Sequence, residues 1–263
     1  MGAKEREVVT ALAALERPVV TADDLVSKLA LDRGAANLVL SRLARKGWLH
    51  RLRRGFYTIV PLSTRSDHPA MEDPLATAMR VFEPCYISGW TAAEHWDLTE
   101  QVHNAVVVYS GRPQRRSTQT LGGVNYRIRR IDHSAFFGTV RVWSGTVPVE
   151  MADMNRTLID ILDAPAMGGG GRQMIDIVRA YWTKPTADPE ALLGMAKRLG
   201  HGALFKRLGF TTEQFGKPDE RWLTACRDHL TAGVSLLDPG GPVRGPIITR
   251  WRLRINIPIM DLE

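Results

Sequence analysis

The chain has 263 residues, 44% hydrophobic and 24% charged, a balance that excludes wholesale disorder and leads us to expect two or three domains. Net charge is +7, with 28 Arg against 7 Lys, which suits bidentate contact with phosphate or carboxylate unless it merely reflects genome composition, so distribution matters more than total. Cys85 and Cys226 have no metal-binding spacing, the N-terminus opens on Lys4, Glu5, Arg6 and Glu7, and no run approaches the roughly 20 apolar residues of a membrane span; a cytoplasmic protein without disulfides, metal or cofactor is expected.

Residues 4–16 place Val8, Ala11, Leu12 and Leu15 at helical spacing before Pro18. Thr21 precedes Asp23 and Asp24, giving an N-cap and an acidic first turn to a second helix ending near Ala30. Asp32 can cap a third helix reaching Lys46, with Gly47 at its permissive C-terminal position. Ala36, Val39, Leu40 and Leu43 form its apolar stripe, while Arg33, Asn37, Ser41 and Arg45 recur every four residues, flanked by Arg42 and Lys46.

After Gly47, β-like runs at 48–52 and 56–60 flank Arg53, Arg54 and Gly55, where glycine permits the positive φ of a tight turn. Three helices followed by a basic hairpin is the order of a winged helix-turn-helix. From Arg33 to Thr58 there are seven Lys or Arg and no Asp or Glu, a single-sign field suited to duplex DNA. The expected DNA-contacting set is Arg33, Asn37, Ser41, Arg42, Arg45 and Lys46 on the helix, with Arg51, Arg53 and Arg54 on the wing, and Trp48, Leu49 and Phe56 packing beneath. A winged helix also serves as a protein-binding module, so the charge asymmetry carries this reading rather than the fold.

Residues 68–74, HPAMEDP, read as a linker. Beyond them a helix is expected over 74–82, an extended run over 85–87, a helix capped by Ser88 through Trp96, and strands over 105–109, 124–131, 139–143 and 147–151. This α+β unit carries Arg112, Arg115, Arg116, Arg127, Arg129, Arg130 and Arg141, with Asp132 the sole acidic residue from 112 to 141. The arginines could extend a DNA footprint, contact RNA, dock an acidic partner, or face solvent on a sheet. Glu94, His95 and His103 lack HExxH or similar spacing, and neighbouring Trp90, Trp96 and Leu98 point to helix packing.

Residues 164–174, APAMGGGGRQM, lack the Gly-Lys-Ser/Thr ending of a phosphate loop and read as a flexible joint. Helices are expected over 172–182, 189–199, 203–208 and 220–232. At 248–257, Trp251, Leu253, Ile255 and Ile257 alternate with Arg250, Arg252, Arg254 and Asn256, predicting one strand with a packed face and a cationic face. Its arginines, with Arg127 and Arg129, are candidates for binding a partner or nucleic acid. The expected organisation is α+β: a winged helix-turn-helix over 1–66, a mixed α/β middle region over 70–165, and a mainly helical region over 166–263 ending in a β-strand and packed with the middle as one unit. The acidic residues form no D…(D/E)xK arrangement, no GxSxG is present, and neither cysteine has an activating pattern; no enzyme activity is expected.

The chain resembles the AbiEi-type antitoxins, winged-helix autorepressors of type IV-like toxin-antitoxin operons. The segments that carry the resemblance are GWLHRLRRGFYTI, YISGWTAAEHWDL at 86–98, NRTLIDILDAP at 155–165, and LDP followed by ITRWRLRINI. It implies a repressor that binds inverted repeats in its own promoter and a C-terminal region opposing a nucleotidyltransferase-like toxin, directly or indirectly. A toxin-sequestering module with little DNA binding and an orphan winged-helix regulator are the alternatives. One departure is Asn155, where such proteins are expected to have an acidic residue; an ion pair there is lost, but Asn would still serve as an N-cap.

Overall fold

The computed structural model describes residues 3–15, 17–60, 73–216 and 218–259. Helices α1 (Ala3–Ala13), α2 (Ala22–Leu29) and α3 (Arg33–Arg45) meet through Leu12, Leu25, Ala36, Leu40 and Leu43, all fully buried. Asp32 starts α3 by accepting the Ala35 N–H at 3.0 Å. Gly47, at φ 78°, turns the chain out of it into β1 (Leu49–Arg53) and β2 (Phe56–Ile59), which pair antiparallel around Gly55 at φ 84°. Val20 adds a third short rung, exchanging backbone hydrogen bonds of 2.8 and 3.0 Å with Tyr57. Three helices and then a hairpin, in a mixed α+β chain, agree with a winged helix-turn-helix.

The expected linker at 68–74 lies outside the described residues except at its end, where Asp73 caps α4 (Pro74–Phe82). There follow β3 (Cys85–Ile87), α5 (Gly89–His95), β4 (Ala105–Ser110), β5 (Thr118–Leu121), β6 (Val124–Arg130), β7 (Thr139–Ser144) and β8 (Val147–Ala152). Among the described residues they form a six-stranded mixed sheet of order β5-β6-β4-β3-β8-β7, in which β4 runs parallel to β6 and β3 parallel to β8. Strand β5 is not among the expected strands, because TQTL is short and polar in all but Leu121. Its signal was the Gly122-Gly123 pair, both at positive φ, which closes a two-residue hairpin onto β6. Ser88 occupies the N-cap position of α5 but makes no side-chain capping bond there.

Helices α6 (Met154–Asp163), α7 (Gly171–Thr183), α8 (Pro189–Leu199), α9 (Gly202–Phe215) and α10 (Glu220–Arg227) share one apolar core, in which Leu158 and Ile161 join Met174, Val178, Phe205 and Leu208. The N-cap of α6 is Asp153, which accepts the Arg156 N–H at 2.7 Å, so the capping role expected of Asn155 falls to its neighbour. Asn155 instead accepts a hydrogen bond from the Tyr181 hydroxyl at 2.6 Å.

The four-glycine run is not a flexible joint. A 3-10 turn over Pro165–Gly168 leads into Gly169 and Gly170, at φ 91° and 97°, which redirect the chain into α7. A methyl at Gly168 would strike Ile161 and one at Gly171 would strike Asp238, whose carboxylate accepts the Gly171 N–H at 2.9 Å. These glycines permit close packing rather than motion.

The tail departs from the single strand expected of it. After β9 (Ser235–Leu236), β10 (Ile247–Ile248) pairs antiparallel with β11 (Leu253–Arg254), while a 3-10 turn over Thr249–Trp251 and Arg252 at φ 48° separate the two. The turn seats the buried Trp251 against Gly209 of α9, where its Nε1–H donates to Glu213 at 2.8 Å. That contact also explains why α9 continues past the expected end at 208: Gly209 is there for the indole, not as a breaker. Asn256, expected on the outer face, is buried and bonds the backbone of Asp238 and Pro242. Helix α10 stops at Arg227, short of the expected 232. Among the described residues no helix is long and apolar enough to cross a membrane.

Candidate nucleic-acid interface

With Ala36, Leu40 and Leu43 turned inward, the opposite side of α3 presents Arg33, Asn37, Arg42 and Arg45 to solvent, with Ser41 half-buried at its margin. These side chains differ in what already holds them. Arg33 lies 3.3 Å from Asp23, both largely exposed, a pairing worth little in water. Lys46 and Arg42 reach the same carboxylate, Glu5 of α1, at 2.6 and 3.6 Å. The Asn37 amide donates to the Arg33 carbonyl at 2.9 Å and must release that bond to read a base. Among the described residues, Arg45 makes no ion pair, and neither do exposed Arg51 and Arg54 on the hairpin.

Arg53 differs from the other wing arginines. Its guanidinium lies over the Phe56 and Phe82 rings at 4.5 and 5.4 Å and donates to the Val81 carbonyl of α4. Burial, with the nearby Arg112 charge, lowers its pKa. Instead of facing outward to a phosphate, as expected, Arg53 ties the hairpin to α4. Phe56 and Leu52 join it by packing with buried Val19 against the core beneath the sheet, while Trp48 and Leu49 pack within the three-helix core.

A second tie lies beside the first. Asp24, 2% exposed, accepts the Thr21 N–H at 2.7 Å and two contacts from Arg80 of α4 at 2.9 and 3.1 Å, and also pairs with Arg17. Burial alone would raise its pKa, but the Thr21 hydrogen bonds and the Arg80 charge outweigh it and leave the pKa below its ordinary value. Sequence reading assigned Asp24 only to the first turn of α2.

Leu38, overlooked in the sequence, is 73% exposed between Asn37 and Arg42 on the polar side of α3. Its signal was a large apolar residue off the buried stripe. Apolar side chains in the major groove pack on the thymine methyl group.

The other predicted cations are dispersed and engaged. Arg127 lies 5.5 Å from the Trp90 ring, and Arg129 pairs with Asp163 at 2.5 Å. Arg250 pairs with Glu213 at 2.8 Å, while Arg252 and Arg254 donate to the carbonyls of Thr231 and Gly245 at 3.1 and 2.9 Å. The tail arginines therefore do not form a single unsatisfied row. His103 stacks on Trp90 at 4.5 Å and bonds Gln173, and His95 packs edge-on against Trp96. Among the described residues no group of three His, Cys, Asp or Glu could hold a metal ion.

Beneath the sheet lies a buried polar cluster. Arg156 bonds Asp160 at 2.9 Å and the Tyr86 oxygen at 2.7 Å, and Asp160 also accepts the hydroxyls of Ser88 and Tyr86 at 2.8 and 3.0 Å. This is why Ser88 leaves its cap unmade. Burial pushes Asp160 up to about 6 against the opposing pull of Arg156 and the two hydroxyls.

No curated protein matches the chain. Residues 7–60, which carry most of α1, all of α2 and α3, and the hairpin, match the family model described as Transcriptional regulator, AbiEi antitoxin, and in that span the chain is similar to the AbiEi-type antitoxins.

Proposed function

We propose that the protein is an antitoxin and transcriptional autorepressor that binds inverted repeats in its own promoter, with α3 in the major groove and the hairpin on the flanking backbone. The observation that carries the reading is the acid-free run from Arg33 to Thr58, in which Arg45, Arg51 and Arg54, on one helix and its adjoining hairpin, make no ion pair among the described residues. Arg33, Arg42 and Lys46 add to the field, with Asn37, Ser41 and Leu38 facing bases. Arg53 is left out of the DNA set. Opposition to a nucleotidyltransferase-like toxin extends the proposal through residues 70–263, taken as one unit beside a winged helix over 1–66. A binding assay of its own promoter fragment against random DNA over a salt series tests the reading; equal affinity for both overturns it.

A further inference from the structure

A cleft of about 190 Å³ opens between β6, the turn at His133–Ala135, α6 and α8, far in sequence from the DNA-facing helix. Arg129, Arg130, Arg156 and Arg198 line it, together with His201 and the carboxylates of Asp132, Asp160 and Asp163. The two inner carboxylates are already committed. Asp160 is held by Arg156, Ser88 and Tyr86, and Asp163 binds Arg129 at 2.5 Å and His201 Nδ1 at 2.8 Å. Arg130 and Arg198 are exposed and have no ion-pair partner among the described residues; Arg198 is braced 3.9 Å from the Phe137 ring. Arg156 is 1% exposed, and its Nη1 has no hydrogen-bond acceptor among the described residues. The Phe137 ring lies 4.2 Å from this guanidinium and offers it a π-face but no lone pair, so a ligand oxygen would complete its hydrogen bonding.

We propose that this cleft binds the phosphoryl group of a small phosphorylated molecule. Its donors come from separate elements: Arg130 from the end of β6, Arg198 from the last turn of α8 and Arg156 from the first turn of α6. Guanidinium groups contributed to one cleft by several elements suit a tetrahedral oxyanion, whose oxygens point in several directions, whereas a planar carboxylate is satisfied by one arginine fork. Asp160 and Asp163 fix Arg156 and Arg129 in place; with Asp132 counted as well, the four arginines still exceed the three carboxylates by one charge. Ser134, exposed and also lining the cleft, has a hydroxyl able to donate.

The test is calorimetric titration of the full chain with inorganic phosphate, adenosine 5′-monophosphate and adenosine at matched ionic strength. Saturable binding of phosphate or of the nucleotide, without adenosine, is expected, and the ratio of the two affinities tells a free ion from a nucleotide. Arg130→Ala with Arg198→Ala should weaken binding at least about tenfold, the loss of one charge-assisted contact or more. Arg115→Ala with Arg116→Ala removes the same charge from an exposed loop outside the cleft and should leave affinity unchanged. Circular dichroism of both pairs checks that they fold. The proposal is overturned if neither phosphate nor nucleotide binds, if adenosine binds as well as its monophosphate, or if the two double variants lose affinity equally.

Discussion

Replacing Arg54 and Arg53 separately by alanine distinguishes a phosphate contact from a structural tie. Each phosphate contact on duplex DNA contributes about −0.9 to the slope of log K against log salt. With Arg45, Arg51 and Arg54 alone as phosphate contacts, the slope should be at least as steep as about −2.7 for one protomer and about −5.4 for two on an inverted repeat, and any contact from Arg33, Arg42 or Lys46 steepens it. Arg54→Ala should reduce the slope by about 0.9 per protomer and weaken specific and random DNA alike. Arg53→Ala, whose guanidinium lies over Phe56 and Phe82 and bonds Val81, should leave the slope unchanged and lower the melting temperature. Fluorescence anisotropy on a promoter duplex from about 50 to 200 mM salt measures the slopes over a range where multi-contact binding changes steeply. If Arg53→Ala flattened the slope as much as Arg54→Ala, the assignment of Arg53 to the interior would be wrong.

Leu38→Ala should cost about 1 to 3 kcal/mol in binding at a thymine-containing operator and almost nothing on random DNA, with folding stability unchanged, as competition binding and thermal melting would report. Gly209→Ala places a methyl in the Trp251 indole and should destabilise the fold by about 1 to 3 kcal/mol in urea unfolding; a neutral result would remove the close packing argued there. Asp24→Asn should cost about 2 kcal/mol at pH 7, below the usual range for breaking a buried pair because Arg17 and Arg80 are partly exposed. Since the folded Asp24 pKa lies below its ordinary value of 3.8, the stabilisation is complete above 3.8 and fades as pH falls through the folded value. The gap between wild type and Asp24→Asn should therefore narrow in acid, and a gap constant down to pH 2 would contradict the pairing.

The first sixty residues were legible because local rules agree there. Asp32 caps, Gly47 ends the helix, Gly55 turns the hairpin, and the apolar period points Leu40 and Leu43 inward. What local pattern could not convey was long-range pairing. Nothing near Arg53 or Asp24 announces Val81 or Arg80, because those partners lie 28 and 56 residues away. The same limit hid the arginine-lined cleft, whose walls come from β6, α6 and α8, and misread the glycine run: four glycines mean freedom in isolation, but here they fit against Ile161 and Asp238. In the tail, alternation correctly buried Trp251 and Leu253, while the turn that seats the indole broke the strand that alternation implied.

Under the proposed DNA-binding mode, the contacts of Arg53 and Asp24 with α4 also bear on how tightly α3 would hold DNA. A recognition unit that swivels on a tether must give up orientational freedom when it docks, and that loss subtracts from affinity. Here the orientation of α3 is set in advance by two cationic contacts and an apolar seam around Phe56. Two such helices on paired half-sites would therefore stand at a separation dictated by the bodies behind them, making the distance between operator half-sites, as much as their sequence, a property that the protein selects.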